Sequence, residues 1–254
     1  MIRDLFPVVS VKEVAANVHV LRFHAPPIAA AVRPGQFLNI KADEGLEPLL
    51  RRPFSVYRAE GEHVEIVFNV IGKGTAVLHR KRPGETLDVL GPLGVPFTLD
   101  GPFDTAVLIA GGLGVAPMPL ATAFLQRAGK RVVTMLGART KSQLVADHLS
   151  DVHTATDDGS AGHHGNAVEL ARKVLAGAAL PRPRIFACGP TAMLRGVQAL
   201  ALETGLPCEV SLEGPMACGF GICQGCPVEL VGSERKYALM CKDGPTFDVR
   251  TVRF

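Results

Sequence analysis

The first hundred or so positions contain short runs rich in β-branched and aromatic residues, separated by turn pairs such as Pro34-Gly35 and Pro83-Gly84. Runs of this kind predict β-strands. The expected strands are Phe6 to Val14, Val18 to Phe23, Phe37 to Lys41, Phe54 to Arg58, Val64 to Val70 and Thr86 to Leu90, with a short helix at Thr75 to His79. Strands at this spacing predict a small antiparallel six-stranded β-barrel.

From about residue 104 the pattern alternates between apolar strand-like runs and helical segments. The expected strands are 106–110, 131–136, 152–156, 185–187 and 208–212, and the expected helices are 117–128, 142–149, 166–176 and 191–203. Alternating strands and helices predict right-handed crossovers and a parallel, doubly wound α/β sheet. This layout is typical of a nucleotide-binding domain.

After Gly214 this alternation stops, and the remaining residues contain four of the six cysteines and two short strand-like pieces. A segment this small cannot build its own core and needs a covalent or metal staple. We therefore expect three domains: a barrel at 1–100, an α/β domain at 101–212 and a stapled domain at 213–254.

Charge and composition exclude several classes of protein. The formal net charge of +3, without a Lys/Arg run, is too small for a dedicated nucleic-acid surface. The uncharged run Thr105 to Leu125 is long enough for a membrane span, but central glycines and prolines interrupt it, so no span is expected. Arg3 and Asp4 stand where a secretory signal needs an apolar region, so we expect a cytoplasmic protein.

Cys218, Cys223, Cys226 and Cys241 follow the pattern C-x4-C-x2-C, fourteen residues and a final Cys. This is the plant-type ferredoxin spacing for a [2Fe-2S] cluster. Interspersed glycines let the backbone wrap closely around inorganic sulfide. A structural zinc site and disulfides are the competing interpretations, while Cys208 is read as a small buried hydrophobe.

Two segments of the predicted barrel suit a flavin. Arg52-Pro53-Phe54-Ser55 offers a guanidinium for pyrophosphate, an aromatic wall for the ring and a hydroxyl for its edge. Gly72-Lys73-Gly74-Thr75 precedes a short helix, whose first N–H groups could hold a second phosphate. A solvated arginine and an ordinary turn are the alternatives.

Two glycine-containing turns of the α/β domain suit a nicotinamide dinucleotide. Gly111, Gly112 and Gly114 lie between its first strand and first helix, where a pyrophosphate approaches a helix N-terminus. Cys188, Gly189 and Pro190 end the fourth strand at the carboxyl edge, where such sheets bind ligands. Cys188 is the candidate catalytic residue facing the nicotinamide, and a buried cysteine before a turn is the alternative.

Taken in order, these segments resemble the ferredoxin-NADP reductase superfamily, and most closely the iron-sulfur electron-transfer subunits of the NAD-dependent dihydroorotate dehydrogenases. The resemblance covers nearly the whole chain and includes Asp88 to Gly94, Thr156 to Ser160 and Ser211 to Cys226, besides the motifs above. Glu213-Gly214-Pro215 and Gln224-Gly225 depart from the family pattern without touching the cysteines.

The resemblance implies a fold, cofactors and site residues. FAD would contact Arg52, Pro53, Phe54, Ser55, Val67, Phe68, Asn69, Gly74 and Thr75, and the four cysteines would hold a [2Fe-2S] cluster. It also implies that electrons from dihydroorotate, oxidised in pyrimidine biosynthesis, pass from the FMN of a separate catalytic subunit through the cluster and FAD to NAD+. The expected assembly is a heterotetramer.

The chemistry of the cofactors supports this order, because only a flavin exchanges both hydride and single electrons. A carbon substrate would need a further pocket, usually on a barrel of about 250 residues, so we expect a partner docked near Met216 to Ile222. These apolar residues could instead pack only around the cluster.

Two other functions and one ambiguity remain. A flavin subunit of another complex, such as a ferredoxin:NADP transhydrogenase or a hydrogenase, is the main alternative. A non-catalytic, zinc-stapled binding module is the remote one. Arg139 could meet the 2′-phosphate of NADP, although the resemblance favours NAD.

Overall fold

The first part of the chain folds into a closed barrel of antiparallel strands, as predicted. The computed structural model describes residues 1–43, 45, 47 and 49–254. The barrel strands are β1 (Ile2–Ala15), β2 (Val18–His24), β3 (Phe37–Lys41), β4 (Arg52–Glu60), β5 (His63–Asn69) and β6 (Thr86–Leu93). They close in the order β1-β2-β5-β4-β3-β6. Alternation puts Leu21 and Phe23 of β2 inside the barrel, fully buried.

Two helices accompany the barrel, and only one was expected. Helix α1 (Pro26–Ala31) occupies a segment that Pro26-Pro27 marked as a turn. Proline fits the first turn of a helix because its φ is already helical and its missing N–H has no partner there. Ile28 of α1 is fully buried in the barrel core. Helix α2 (Lys73–His79) confirms the short helix predicted from Thr75.

The second part of the chain forms a sheet with helices on both faces, which confirms the predicted α/β class. Its strands are β7 (Thr105–Gly111), β8 (Arg131–Ala138), β9 (Val152–Thr156), β10 (His163–His164), β11 (Pro183–Cys188) and β12 (Cys208–Ser211). These six strands are all parallel to one another. Helix α3 (Met118–Arg127) covers one face, and α4 (Ala167–Gly177) and α5 (Thr191–Thr204) cover the other.

The prediction of a helix at 142–149 is wrong. Only a single 3-10 turn, Lys141–Gln143, forms there, and the chain then runs irregularly to β9. Two backbone carbonyls of this segment accept hydrogen bonds from the barrel side: Ser142 from the Ala16 N–H at 2.8 Å, and Asp147 from the Tyr57 hydroxyl at 3.3 Å. An eight-residue helix is marginal alone, so these contacts with the barrel decide the conformation.

The cysteine-containing tail returns to the sheet. It forms a two-stranded ladder of β13 (Pro227–Glu229) and β14 (Tyr237–Leu239), a helical turn α6 (Met240–Asp243) and a last strand β15 (Thr246–Asp248). Strand β15 pairs antiparallel with β12, and Val249 and Val252 are fully buried in the core beneath α5. The sheet order is therefore β10-β9-β8-β7-β11-β12-β15.

The uncharged run at 105–125 divides into β7, a glycine turn and most of α3. Within the described ranges, no helix is both long enough and apolar enough to cross a membrane.

Candidate flavin and iron-sulfur site

A groove of about 220 Å³ lies where the barrel, the glycine turn after β7 and the beginning of the tail meet. Barrel residues predicted to contact the flavin line one wall: Pro53, Phe54, Ser55, Val67, Phe68, Asn69 and Thr75. Leu113 and Ala116 of the turn and Glu213, Gly214 and Met216 of the tail line the rest. The groove is thus built by all three parts of the chain.

The barrel wall of the groove offers aromatic surface and an open hydrogen-bond acceptor. The Phe54 and Phe68 rings meet edge to face, with centroids 6.0 Å apart. The Asn69 Oδ1 is buried without a partner among the described residues. Buried acceptors are nearly always paired, so this atom fits a donor supplied by a bound ligand such as the flavin ring.

Arg52 and Gly74, two further predicted flavin contacts, are not among the residues that line the groove, but they contact each other and directly precede Pro53 and Thr75, which do line it. A Cβ on Gly74 would stand 2.7 Å from the Arg52 Nε, so only glycine lets the guanidinium lie against α2. The Thr75 hydroxyl accepts from the Ile71 and Gly72 N–H groups at 3.0 and 3.3 Å and thereby shapes the start of α2. A fixed cation beside the first turn of a helix suits a phosphate.

The two predicted nicotinamide segments also come together, at the carboxyl ends of β7 and β11. A Cβ on Gly114 would lie 2.1 Å from the Cys188 carbonyl oxygen, so the turn and the end of β11 touch through their backbones. Gly112 adopts φ +55 and Gly189 φ +158, values that favour glycine. The close approach leaves backbone, rather than side chains, at the edge where a dinucleotide binds.

Cys188 itself is fully buried. Its thiol donates to the Glu213 Oε1 at 3.7 Å. Burial, followed by the nearby Glu213 carboxylate, raises the pKa of Cys188 well above its ordinary value, so it stays a thiol at neutral pH. It is therefore unsuited to act as a nucleophile. Its predicted role facing the nicotinamide stays a prediction.

Glu213 is a groove residue that sequence reasoning treated only as a departure from the family pattern. Burial raises the pKa of its carboxyl group, against a smaller lowering by the Cys188 thiol. The only sequence signal was its position as the first charged residue after the buried strand β12.

The four cysteines form two pairs. The Cys226 and Cys241 Sγ atoms are 3.3 Å apart, both buried. That separation is far longer than a disulfide bond of about 2.0 Å. Cys218 is half-buried and Cys223 exposed, and the Cys223 N–H donates to the Cys218 Sγ at 3.5 Å. All four are free thiols.

Backbone N–H groups around the cysteines favour thiolate. Burial raises the pKa of Cys218, but bonds from the Cys223, Phe220 and Ile222 N–H groups outweigh it and lower the pKa to about 6. At Cys241, burial and then the neighbouring Cys226 raise the pKa to about 12. Gly219 at φ +84 and Gly221 at φ +89 permit the tight loop that aims these N–H groups. The loop thus favours the thiolate form of Cys218 and disfavours that of Cys241.

This arrangement fits a two-iron cluster better than a single metal ion. A structural zinc site needs four ligands around one centre, whereas a [2Fe-2S] cluster spreads four thiolates over two irons. The two separate cysteine pairs match the ligand arrangement of a [2Fe-2S] cluster.

Comparisons with known proteins point the same way. Residues 213–253 match the family model described as the iron-sulfur cluster binding domain of dihydroorotate dehydrogenase B. Electron transfer subunits of dihydroorotate dehydrogenase B (NAD(+)) are similar over almost their full length. The subunit from Desulforamulus reducens is 35% identical over 94% of both chains, and that from Geobacillus kaustophilus 37% identical over 96% of both.

Solved structures show the same fold. A chain of the NADH-dependent reduced ferredoxin-NADP oxidoreductase superposes with a TM-score of 0.85 at 31% identity, covering 98% of this chain and 90% of that one. A ferredoxin NADP+ reductase from Neisseria gonorrhoeae with bound FAD and NADP has a TM-score of 0.66 at 18% identity, covering 80% and 92%. The second likeness concerns the fold alone.

Proposed function

This chain belongs to the family of electron transfer subunits of dihydroorotate dehydrogenase B, and we propose that it passes electrons from dihydroorotate oxidation to NAD+. One observation carries the proposal: two cysteine pairs lie on the segment that also lines the groove shared with the predicted flavin contacts of the barrel. Bound FAD exchanges hydride for single electrons, which the [2Fe-2S] cluster can carry. The direction of flow is set by the partner's substrate.

The chain's own residues bind and orient these groups. Arg52 and the first turn of α2 would hold the flavin pyrophosphate, while Phe54, Ser55 and Asn69 would contact the ring. Cys218, Cys223, Cys226 and Cys241 would hold the cluster.

The nucleotide is proposed to bind across the glycine turn and the end of β11. Gly112, where a Cβ would meet nothing within 4 Å, leaves room for its pyrophosphate. Gly111 and Gly114 let the turn pack closely against Met193 and the Cys188 carbonyl, and Gly189 and Pro190 would flank the nicotinamide. NAD is the proposed form, in keeping with the names of the relatives. Arg139 is exposed just beyond β8, where it would meet a 2′-phosphate, so the choice between NAD and NADP needs measurement.

The partner is proposed to be an FMN-containing dihydroorotate dehydrogenase subunit, in a heterotetramer. Ile222 is 76% exposed and Phe220 39% exposed, directly beside the cysteines. Exposed apolar residues at a redox centre suit a docked subunit that excludes water. A cytoplasmic location belongs to this proposal, because iron-binding thiols need a reducing compartment.

The test is to purify this chain together with its native partner and supply dihydroorotate and NAD+. We expect NADH and orotate in equal amounts, and no NADH when this chain is omitted. Absence of orotate with a fully loaded complex would contradict the dihydroorotate assignment. Running the same assay with NADP+ decides the nucleotide.

A second function is favoured by the high structural similarity to a chain of the NADH-dependent reduced ferredoxin-NADP oxidoreductase. In that case the partner would be a different flavoprotein and the electron carrier a ferredoxin. Supplying reduced ferredoxin and NADP+ in place of dihydroorotate separates the two. The zinc-stapled module would be indicated by a colourless protein that holds one zinc after iron-sulfur reconstitution.

A further inference from the structure

We infer that Asn39 is a positioning residue, one that fixes the loop of the first cluster cysteine against the flavin-binding strand. Asn39 lies in β3 and is fully buried. Its neighbour across the ladder on β4 is Pro53, within the proposed flavin motif. The inference rests on the proposed electron route between FAD and cluster.

The contacts of Asn39 with the cysteine loop are specific. Its Nδ2 donates to the Cys218 carbonyl at 3.0 Å and to the Ala217 carbonyl at 3.4 Å. Both partners are acceptors, so the amide nitrogen must face the loop. The Asn39 side chain in the barrel thus holds the backbone of Cys218, a proposed cluster ligand that lies 179 positions later in the chain.

On the tail side of this contact, Gly219 lies close to the Asn39 side chain. It adopts φ +84, and a Cβ there would come within 2.6 Å of the Asn39 Nδ2. A side chain at position 219 would therefore push the loop away from the barrel, and glycine allows the closest approach.

The barrel holds Asn39 rigidly in turn. Arg51 donates to the Asn39 carbonyl at 3.2 Å and to the Asp88 carbonyl at 2.9 Å, and its other terminal nitrogen pairs with the Asp88 carboxylate at 2.5 Å. Arg51, the residue just before β4, thereby ties β3 to β6 at Asn39.

A role in packing alone does not explain an asparagine at this position. The Asn39 Oδ1 is buried with no partner among the described residues, and burying an unpaired acceptor is unfavourable. An isosteric leucine would avoid that cost, but it would lose both bonds to the loop. Because electron transfer depends on fixed distances, a small displacement of the Cys218 loop should slow it strongly.

The test uses the full chain loaded with FAD and cluster, reduced with NADH. Stopped-flow absorbance follows the flavin, and freeze-quenched EPR follows the cluster. In Asn39→Leu and Asn39→Asp we expect flavin reduction at the wild-type rate, but cluster reduction slower by about tenfold or more, with a changed EPR spectrum. Gly219→Ala should give the same signature, because it disturbs the same contact from the other side.

Ile40→Val is the matched control, since Ile40 is the next residue of β3, is equally buried and faces the barrel core instead. It should leave both rates and the spectrum unchanged. Loss of iron with flavin retained in the Asn39 variants would also support the inference. Wild-type EPR and cluster reduction in all three variants, or an equal defect in Ile40→Val, would overturn it. If NADH fails to reduce the wild-type cluster, the proposed route fails independently of Asn39.

Discussion

The four cysteines differ in their exposure to solvent, which has consequences for each position. Cys226 and Cys241 are buried, whereas Cys223 is exposed and Cys218 half-buried. The spacing of the cysteines is enough to single out four candidate ligands, because all four lie within one short segment, and the ligand set stays a prediction. Their grouping into an inner and an outer pair depends on how the loop folds against the barrel, which spacing does not contain.

Replacing Cys223 with serine should abolish the cluster without affecting the flavin. Serine is a poor iron ligand at this position, and the flavin groove does not include residue 223. We expect loss of the visible iron-sulfur absorption and of bound iron, with FAD content and NADH-dependent flavin bleaching retained. Cys208→Ala is the control, since Cys208 lies in β12 away from the other cysteines and should keep its iron. Full iron in Cys223→Ser would contradict the assignment.

Replacing Arg52 with alanine should weaken FAD binding by roughly 10- to 100-fold, the usual value of charge-assisted hydrogen bonds. Arg52→Lys should recover only part of this, because an ammonium cannot reproduce the planar fork of the guanidinium. Fluorescence titration of the apoprotein with FAD measures both. Arg58→Ala is the control on the same strand, because Arg58 pairs with Glu60 and Glu65 instead. An equal loss of FAD affinity in Arg52→Ala and Arg58→Ala would contradict the proposed phosphate contact.

Among the elements, runs of β-branched, aromatic and apolar residues predicted the barrel and the sheet well, because strand preference is a local property of each run. Two errors came from contacts between distant elements. Proline at Pro26 indicated a turn, yet burial of Ile28 in the barrel favours helix α1. The segment 142–149 does not form the predicted helix, because the Ala16 N–H and the Tyr57 hydroxyl donate hydrogen bonds to its Ser142 and Asp147 carbonyls.

The ion pair between Asp88 of β6 and Arg51 makes the barrel sensitive to acid. Burial raises the pKa of Asp88, but hydrogen bonds from Arg51 and Arg3 outweigh it and lower the pKa below its ordinary value. A carboxyl group with a lower pKa in the folded state stabilises the fold above its unfolded pKa of about 3.9. This stabilisation is lost as the pH falls through the folded pKa.

Asp88→Asn should therefore reduce the free energy of unfolding at pH 7 by about 1–3 kcal/mol, and the difference from wild type should shrink below about pH 4. Denaturant unfolding of both proteins at pH 7 and at pH 3 measures this. Asp104→Asn is the control, because the Asp104–Arg182 pair is solvent-exposed and should matter less. A difference that grows as the pH falls would contradict the proposed linkage.

Across the whole molecule, the site is made by segments far apart in sequence. Local motifs identified the cysteines, the flavin strand and the glycine turns, since each is a continuous stretch of chain. The Glu213–Cys188 and Asn39–Cys218 contacts depend on tertiary packing and have no local signature. The division into domains at 1–100, 101–212 and 213–254 stays a prediction, because the tail shares its core with the sheet.

Deleting residues 213–254 should destabilise the sheet as well as remove the cluster. The deletion exposes the edge of β12 and removes the buried Val249 and Val252. Full-length protein with all four cluster cysteines changed to serine keeps these contacts and serves as the control. Thermal unfolding followed by circular dichroism should show a much lower midpoint for the deletion than for the control. Equal midpoints would show that the tail is dispensable for folding.

The pairing of β15 with β12 makes the cysteine segment an insertion held at both ends, since Ser211 and Thr246 are neighbours in the sheet. The ends of the segment are therefore anchored by ordinary strand hydrogen bonds, independently of iron. We expect the polypeptide to fold before it acquires its metal, so that the cluster enters a protein that is already folded. A cluster damaged by oxygen would then be replaceable in the folded protein, without synthesis of a new polypeptide.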